Sequence, residues 1–118
     1  DGMATVAKKV GAIGLVTDGG VRDVETVHDM GFQMFSVGLV PAHGNFGLDE
    51  TNVPVEVGGV LVNVGDVVHA DVNGVVVFPL ELVNHVIAEA KKVTARESEM
   101  MGWVNSDEFS LDIFIEGR

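Results

Sequence analysis

The chain has 118 residues, of which 47% are hydrophobic and none is cysteine. Seven lysines and arginines against 18 aspartates and glutamates give a formal net charge of −11, so nucleic acids and anionic membranes are poor partners. The lack of cysteine excludes disulfides, thiolate metal sites and cysteine catalysis. The sequence contains neither an apolar run of membrane-spanning length nor a basic-then-apolar leader, which predicts one modest cytoplasmic domain.

The first forty residues predict alternating helices and strands. Asp1 precedes an apolar helical face as an N-cap, and Gly11 is a suitable helix stop. The periodicity predicts, in chain order, a helix at 2–10, a strand at 12–16, a helix at 24–30 and a strand at 33–37.

The lengths of the first two elements predict where Asp1 lies. A nine-residue helix rises about 13 Å, and a five-residue strand spans about 16 Å. If the two run antiparallel, as consecutive packed elements usually do, Asp1 lies at the same end as the turn at 17–23. A helix N-terminus beside the carboxyl end of a strand is the usual place for an anionic ligand in an open α/β sheet.

The turn at 17–23 ends in Arg22 and Asp23. A guanidinium can neutralise a substrate carboxylate, a carboxylate can hold a hard divalent cation, and a second carboxylate could orient a metal-bound water. The spacing alone leaves a second interpretation open, in which Asp1 is only a helix cap and the Arg-Asp pair has no joint role.

In the middle of the chain a predicted surface loop is followed by short segments whose hydrophobic residues alternate with a period of two. Residues 38–52 predict a long loop suited to a lid or an interface, whose His43 is a solvated residue or a ligand. Asn73-Gly74 predicts a type I′ hairpin turn, and Asp66 and Asp71 are predicted to be structural. Short strands are predicted at 53–57, 59–64, 67–71 and 75–79.

The last forty residues predict a long amphipathic helix from Pro79 to about Met100, followed by an acidic tail at 101–118. Within the tail, Ser110 to Glu116 alternates in hydrophobicity, which predicts an edge strand or a docking segment for a neighbouring subunit. Phosphate-binding loops, dinucleotide fingerprints and the nucleophile elbow of α/β-hydrolases are absent from the sequence.

Two segments carry a family resemblance, GAIGLVTDGGVRDVE at 11–25 and VNVGDVVHADVNGVVVFPLELV at 62–83, followed by a helix that ends in a glutamate cluster. Over residues 1–100 the chain resembles the RraA-like family, shared by the 4-hydroxy-4-methyl-2-oxoglutarate aldolases and the regulator of ribonuclease activity A. The resemblance implies an α/β fold, an α/β/β sandwich of swivelling-domain type. It also implies that residues 1–118 are the carboxyl-terminal part of a single domain, and that the protein assembles as a homotrimer or hexamer with active sites between subunits.

The resemblance further implies site residues, because aldolases of the family carry an aspartate, twenty residues and then Arg-Asp. By that match Asp23 would bind Mg²⁺ or Mn²⁺, Arg22 would bind the oxo group and stabilise the enolate, and Asp1 would hold a metal-bound water. Backbone N–H groups of Gly2 and Met3 would receive the substrate carboxylate. In the family a glutamate from the neighbouring subunit's carboxyl-terminal helix positions the catalytic water, and Glu97 and Glu99 both remain candidates.

The implied activity is metal-dependent cleavage of 4-hydroxy-2-oxo diacids, of the 4-hydroxy-4-methyl-2-oxoglutarate type, to pyruvate. Oxaloacetate decarboxylation is expected as a side activity, because it forms the same enolate. One alternative is a non-catalytic regulator that binds an RNA-degrading enzyme or another protein partner. Another is a structural remnant that is inactive without further segments.

Overall fold

The computed structural model describes residues 1–45 and 47–117, so residue 46 of the predicted loop lies outside the described part of the chain. The chain divides into two compact units, residues 1–78 and 79–118. The helices are α1 (Gly2–Lys9), α2 (Val24–Asp29), α3 (Val83–Val104) and α4 (Leu111–Glu116), with a 3₁₀ turn at Leu80–Leu82. The strands are β1 (Gly14–Val16), β2 (Gly20–Val21), β3 (Gln33–Phe35), β4 (Gly38–Leu39), β5 (Val55–Val57), β6 (Val60–Val62), β7 (Val67–Asp71) and β8 (Gly74–Phe78).

The first unit begins with the predicted helix and strand alternation, which confirms the α/β class. Strand β1 pairs in parallel with β3, with Leu15 opposite Met34, and helix α2 connects the two strands. Strand β2 pairs in parallel with β4. Because β4 lies at 38–39, the predicted loop at 38–52 is wrong at its beginning, where Gly38 and Leu39 pair with β2.

A small core joins helices α1 and α2. Its buried side chains are Ala4, Val27 and Phe32, and Val27 is only 1% exposed. Ala4 lies one turn into α1 and Val27 one turn into α2. The helices also meet where the Lys8 ammonium donates to the Met30 carbonyl, just past the end of α2. The core therefore sets the separation of the two helix N-termini.

Two antiparallel hairpins complete the first unit, β5 with β6 and β7 with β8. In the second hairpin Asp71 pairs with Gly74, so the two loop residues are Val72 and Asn73. The predicted type I′ turn at Asn73-Gly74 is wrong, because that turn needs positive φ at both central residues. Among the described non-glycine residues only Asp23 and Asn52 have positive φ. The Asp71 carboxylate instead closes the turn by accepting from the Asn73 N–H at 2.7 Å.

The Asp71 carboxylate should stabilise this hairpin in a pH-dependent way. The hydrogen bond from the Asn73 N–H is the main cause that lowers the pKa of Asp71 below its ordinary value of 3.8. A carboxyl whose pKa is lower in the folded state stabilises that state above the unfolded pKa. The contribution is lost as the pH falls through the folded pKa. We expect an NMR titration of the Asp71 carboxyl carbon to give a midpoint below 3.8.

Asp71→Asn is the matched control, because the amide cannot titrate. The difference in unfolding free energy between the protein and this variant should be largest near neutral pH and should shrink toward pH of about 2. A difference that does not change with pH would contradict the proposed role of the carboxylate.

The second unit contains helices α3 and α4. Helix α3 begins at Val83, after the 3₁₀ turn, and extends to Val104, four residues beyond the predicted end. The predicted strand at Ser110 to Glu116 is wrong, because this segment forms α4 with Ser110 at its N-cap. No helix within the described ranges is both long and apolar enough to cross a membrane.

Aromatic packing explains the helical tail. Trp103 lies edge-on to Phe109, with ring centroids 5.1 Å apart. It also stacks on Phe114 at 6.5 Å. The alternation of Leu111, Ile113 and Ile115 suggests a strand. The segment is nevertheless helical, with Phe114 packed on Trp103. Tertiary packing therefore overrides the local pattern.

Candidate functional site

The structure brings together the three residues that the sequence selects. The main-chain nitrogen of Asp1 donates to Asp23 Oδ2 at 2.9 Å. The Arg22 Nε lies 3.7 Å from the same oxygen. The predicted proximity of Asp1 to the turn at 17–23 is confirmed. The side chains of Asp1, Arg22 and Asp23 are 64%, 45% and 35% exposed, so each can be reached from solvent.

Asp1 acts as the predicted N-cap of α1. Its Oδ1 accepts from the Gly2 N–H at 2.5 Å, and its carbonyl accepts the first intrahelical bond, from Thr5. The Gly2 N–H would therefore have to release the Asp1 carboxylate before it could bind a substrate carboxylate. The Met3 N–H lies in the first turn, where a helix supplies no acceptor for it.

Asp23 has a left-handed backbone, with φ 57° and ψ 33°. A non-glycine residue in this region is uncommon, and aspartate is among the few that tolerate it. Asp23 is the N-cap of α2, yet its carboxylate makes no capping bond. The Asp23 carboxylate instead contacts the Asp1 nitrogen and Arg22.

A hydrogen bond and a nearby positive charge favour the ionised form of Asp23. The hydrogen bond from the Asp1 main-chain nitrogen is the main cause that lowers the pKa of Asp23. Burial opposes this effect, while the charge of Arg22 lowers the pKa further. Both polar contacts fall on Oδ2, and no described residue donates to Oδ1. A negatively charged oxygen is therefore available to a cation near neutral pH.

The turn at 17–23 is held at several points. The Thr17 N–H donates to Phe35 of β3 at 2.9 Å, and the Thr17 hydroxyl accepts from the Gly19 N–H at 3.0 Å. Strand β2 continues the turn and pairs with β4, after which the Val40 N–H donates to the Val21 carbonyl at 2.9 Å. Arg22 therefore follows a strand residue with a defined position.

Gly20 is required by the close approach of Val40. A Cβ on Gly20 would lie 2.4 Å from Val40 Cγ1, and a β-branched side chain has little freedom to move aside. We expect Gly20→Ala to lower the free energy of unfolding by about 1–3 kcal/mol, measured by urea denaturation. Gly38→Ala is the matched control, because a Cβ at this glycine, the pairing partner of Gly20, has nothing within 4 Å.

The same series can identify the clash as the cause. Gly20→Ala should lower the free energy of unfolding less when residue 40 is alanine, because the shorter side chain leaves room for the new Cβ. This loss is measured by comparing the double variant Gly20→Ala, Val40→Ala with Val40→Ala alone. Equal losses from Gly20→Ala and Gly38→Ala would show that the approach of Val40 is not responsible.

The other residues considered from the sequence lie on other segments of the chain. Glu97 and Glu99 lie in α3, in the second unit, and their role stays a prediction. His43 is exposed, and its ring nitrogen lies 3.3 Å from the Gly44 carbonyl. Within residues 1–45 and 47–117 no group of three or more His, Asp or Glu side chains could hold a metal ion. A cation here would have one or two protein carboxylates.

Sequence reasoning did not single out Asp18. Its carboxylate accepts from the Gly58 N–H at 3.1 Å, across 40 residues of chain. The available signal is an aspartate directly before Gly-Gly, which is typical of a residue that hydrogen-bonds within a turn. The partner could not be identified in this way, because it belongs to a distant hairpin.

The comparisons with known proteins identify a family for the first unit. A family model described as RraA-like, Aldolase/RraA, matches residues 1–77, nearly the whole of the first unit. A protein of Methanocaldococcus jannaschii, named "Uncharacterized protein MJ0644", is 38% identical over 84% of this chain and 49% of its own length.

Two further relatives have names that state an activity. A "Putative 4-hydroxy-4-methyl-2-oxoglutarate aldolase" of Halalkalibacterium halodurans is 29% identical over 98% of this chain and 56% of its own. A "Putative 4-hydroxy-4-methyl-2-oxoglutarate aldolase 3" of Arabidopsis thaliana is 33% identical over 68% of this chain and 49% of its own. The chain thus spans about half the length of the curated relatives that it matches. From the matched residues 1–77, the chain belongs to the RraA-like family.

Proposed function

We propose that the protein is a divalent-metal-dependent aldolase that cleaves 4-hydroxy-2-oxo diacids to pyruvate and decarboxylates oxaloacetate as a side reaction. The observation that carries this proposal is the convergence of the Asp1 nitrogen and the Arg22 Nε on one oxygen of Asp23, at 2.9 and 3.7 Å. The family and the names of its relatives agree with a lyase.

The residues of the site fit Mg²⁺ or Mn²⁺. Mg²⁺ is usually held by one or two carboxylates and keeps several waters. Here Asp23 offers an ionised carboxylate, and Asp1, whose main-chain nitrogen bonds to Asp23, carries a second one. We assign Asp23 as the ligand and Asp1 as the group that holds a water of the ion. When bound, the cation would supply Lewis-acid polarisation of the 2-oxo group.

Arg22 would bind the oxo group and stabilise negative charge on it. Its contact with Asp23 is made through Nε, which leaves the two terminal nitrogens of the guanidinium to face a substrate. A guanidinium presents its donors in a planar fork and stays charged at any physiological pH. This positive group matters because the chain as a whole carries a net charge of −11 and would otherwise repel a dianion.

The proposed reaction needs two proton transfers, one from the substrate hydroxyl and one to the enolate carbon. The Asp1 carboxylate, through a water, takes the proton from the C4 hydroxyl of the substrate. That oxygen becomes the carbonyl of the departing oxo acid as the C3–C4 bond breaks, and the bonding electrons form the enolate of pyruvate. The water returns a proton to C3. The N–H of Met3, at the start of α1, would bind the substrate carboxylate, and the Gly2 N–H would join it after exchanging its acceptor.

We also propose that the full domain is an α/β/β sandwich that forms homotrimers or hexamers. In this assembly Glu97 or Glu99 of a neighbouring subunit positions the water. The exposure of Asp1, Arg22 and Asp23 supports this arrangement, because their side chains leave room for walls that another part of the domain or assembly would supply.

A coupled pyruvate assay tests the proposal. Oxaloacetate and hydroxylated 2-oxo diacids should yield pyruvate with Mg²⁺ or Mn²⁺, excess chelator should abolish turnover, and added metal should restore it. Full activity in chelator would reject the metal-dependent reaction. Tight binding to an RNA-degrading enzyme that survives Asp23→Ala, without pyruvate release from any substrate, would instead identify a regulator.

A further inference from the structure

One hydrogen bond joins the turn at 17–23 to the hairpins of the first unit. Asp18 Oδ2 accepts from the Gly58 N–H at 3.1 Å. Asp18 lies between β1 and β2, while Gly58 lies in the turn between β5 and β6. Among the described residues of this unit, no other hydrogen bond connects residues 1–40 with residues 53–78. The geometry of the site turn therefore depends on a residue from a separate pair of strands.

The hairpin turn is built to offer this N–H. Val57 pairs with Val60, so Gly58 and Gly59 form the two-residue loop. Their φ angles of +58° and +80° are both left-handed, as a type I′ turn requires. In such a turn the N–H of the first loop residue takes no part in the strand ladder and can donate to another group. Here it donates to the Asp18 carboxylate.

Asp18 also lies at the beginning of the glycine segment of the site turn. It is followed by Gly19 and Gly20, and glycine has more backbone freedom than any other residue type. Val21, Arg22 and Asp23 come next. A bond from Asp18 to a different part of the fold removes freedom at the beginning of the glycine segment, and the pairing of β2 with β4 removes it at the end.

We propose that Asp18 is a positioning residue, which holds the turn at 17–23 against the β5–β6 hairpin so that Arg22 and Asp23 converge beside Asp1. The assignment of a catalytic consequence depends on the aldolase function proposed above. The positional role depends only on the hydrogen bond and can be measured without any activity. Asp18 does not contact substrate in this proposal.

Three variants separate positioning from general stability. Asp18→Ala removes the acceptor, whereas Asp18→Asn keeps a side-chain carbonyl that can accept from Gly58. Asp66→Ala is the matched control, since Asp66 Oδ2 accepts from the Asn63 N–H at 2.8 Å in the next hairpin connection and touches no residue of the site turn. The alanine variants lose one carboxylate-to-backbone bond each.

The kinetic readout is the pattern of kcat and KM for pyruvate release. A misplacement of about 1 Å can cost roughly a hundredfold in rate. We expect Asp18→Ala to lower kcat at least tenfold with a smaller change in KM, Asp18→Asn to stay within about threefold, and Asp66→Ala to match the parent protein. Equal loss of kcat in Asp18→Ala and Asp66→Ala would overturn the positioning role.

An NMR readout tests the same idea if the protein releases no pyruvate. Backbone amide signals of Arg22 and Asp23, and hydrogen exchange at Gly58, should change in Asp18→Ala but not in Asp66→Ala, and Asp18→Asn should restore them. Unchanged Arg22 and Asp23 signals in a folded Asp18→Ala protein would overturn the proposal. An absence of pyruvate release from the parent protein would count against the aldolase function alone.

Discussion

Replacing Arg22 with alanine should lower kcat for pyruvate release by about 10²–10³-fold, the usual effect of removing one donor to a developing oxyanion. The loss should appear mainly in kcat, because the guanidinium is proposed to stabilise negative charge that grows as the C–C bond breaks. The thermal midpoint should change little, since Arg22 is 45% exposed and its contact with Asp23 is long, at 3.7 Å. Steady-state kinetics with saturating Mg²⁺ measures the effect.

Two substitutions control this experiment. Arg22→Lys keeps the charge but not the planar fork of donors, so its rate should lie between those of the parent and the alanine variant. Arg96→Ala removes an arginine from the exposed surface of α3 and should leave the rate unchanged. If Arg22→Ala keeps more than a tenth of the parent kcat, the guanidinium does not stabilise the transition state.

Asp23→Asn should abolish the response to divalent cations. Metal ions contribute several kcal/mol of transition-state stabilisation, and each 1.36 kcal/mol is a factor of ten, so turnover should fall by about 10²–10⁴-fold. Mn²⁺ binding followed by electron paramagnetic resonance should weaken in parallel. Asparagine is the informative replacement because it tolerates the left-handed backbone seen at φ 57°. Alanine would add backbone strain of roughly 1–2 kcal/mol to the loss of the ligand.

Asp29→Asn is the matched control for this substitution. Asp29 ends the same helix, is highly exposed and lies 3.7 Å from a ring nitrogen of His28. Its variant should bind Mn²⁺ and release pyruvate as the parent does. Mn²⁺ affinity that is unchanged in Asp23→Asn would show that the cation binds elsewhere or not at all.

Local patterns were sufficient to predict the first part of the fold and the proximity of Asp1 to the turn at 17–23. Helix α1 and strand β1 are short, so their rises limit where Asp1 can lie relative to Asp23, and the 2.9 Å contact agrees with that limit. The parallel pairing of β1 with β3 likewise follows from a strand, a helix and a strand in sequence.

Features that depend on distant residues could not be predicted in this way. The left-handed backbone of Asp23 leaves no periodic signature, and the Asp18 to Gly58 bond joins segments 40 residues apart. The α4 helix depends on the packing of Trp103 against Phe109 and Phe114. The loop between β7 and β8 consists of Val72 and Asn73, and the Asp71 carboxylate accepts from the Asn73 N–H. The preference of Asn-Gly for type I′ turns does not take this side-chain bond into account.

The core formed by Ala4, Val27 and Phe32 has a consequence for how the first unit opens on heating. These side chains connect α1 to α2 and to the start of β3, whereas the hairpins contribute no residue to that buried cluster. Segments that share few buried contacts can open separately. The two short helices should therefore melt together, at a temperature that differs from that of the hairpins, and hydrogen exchange of the amides in both regions measures the difference.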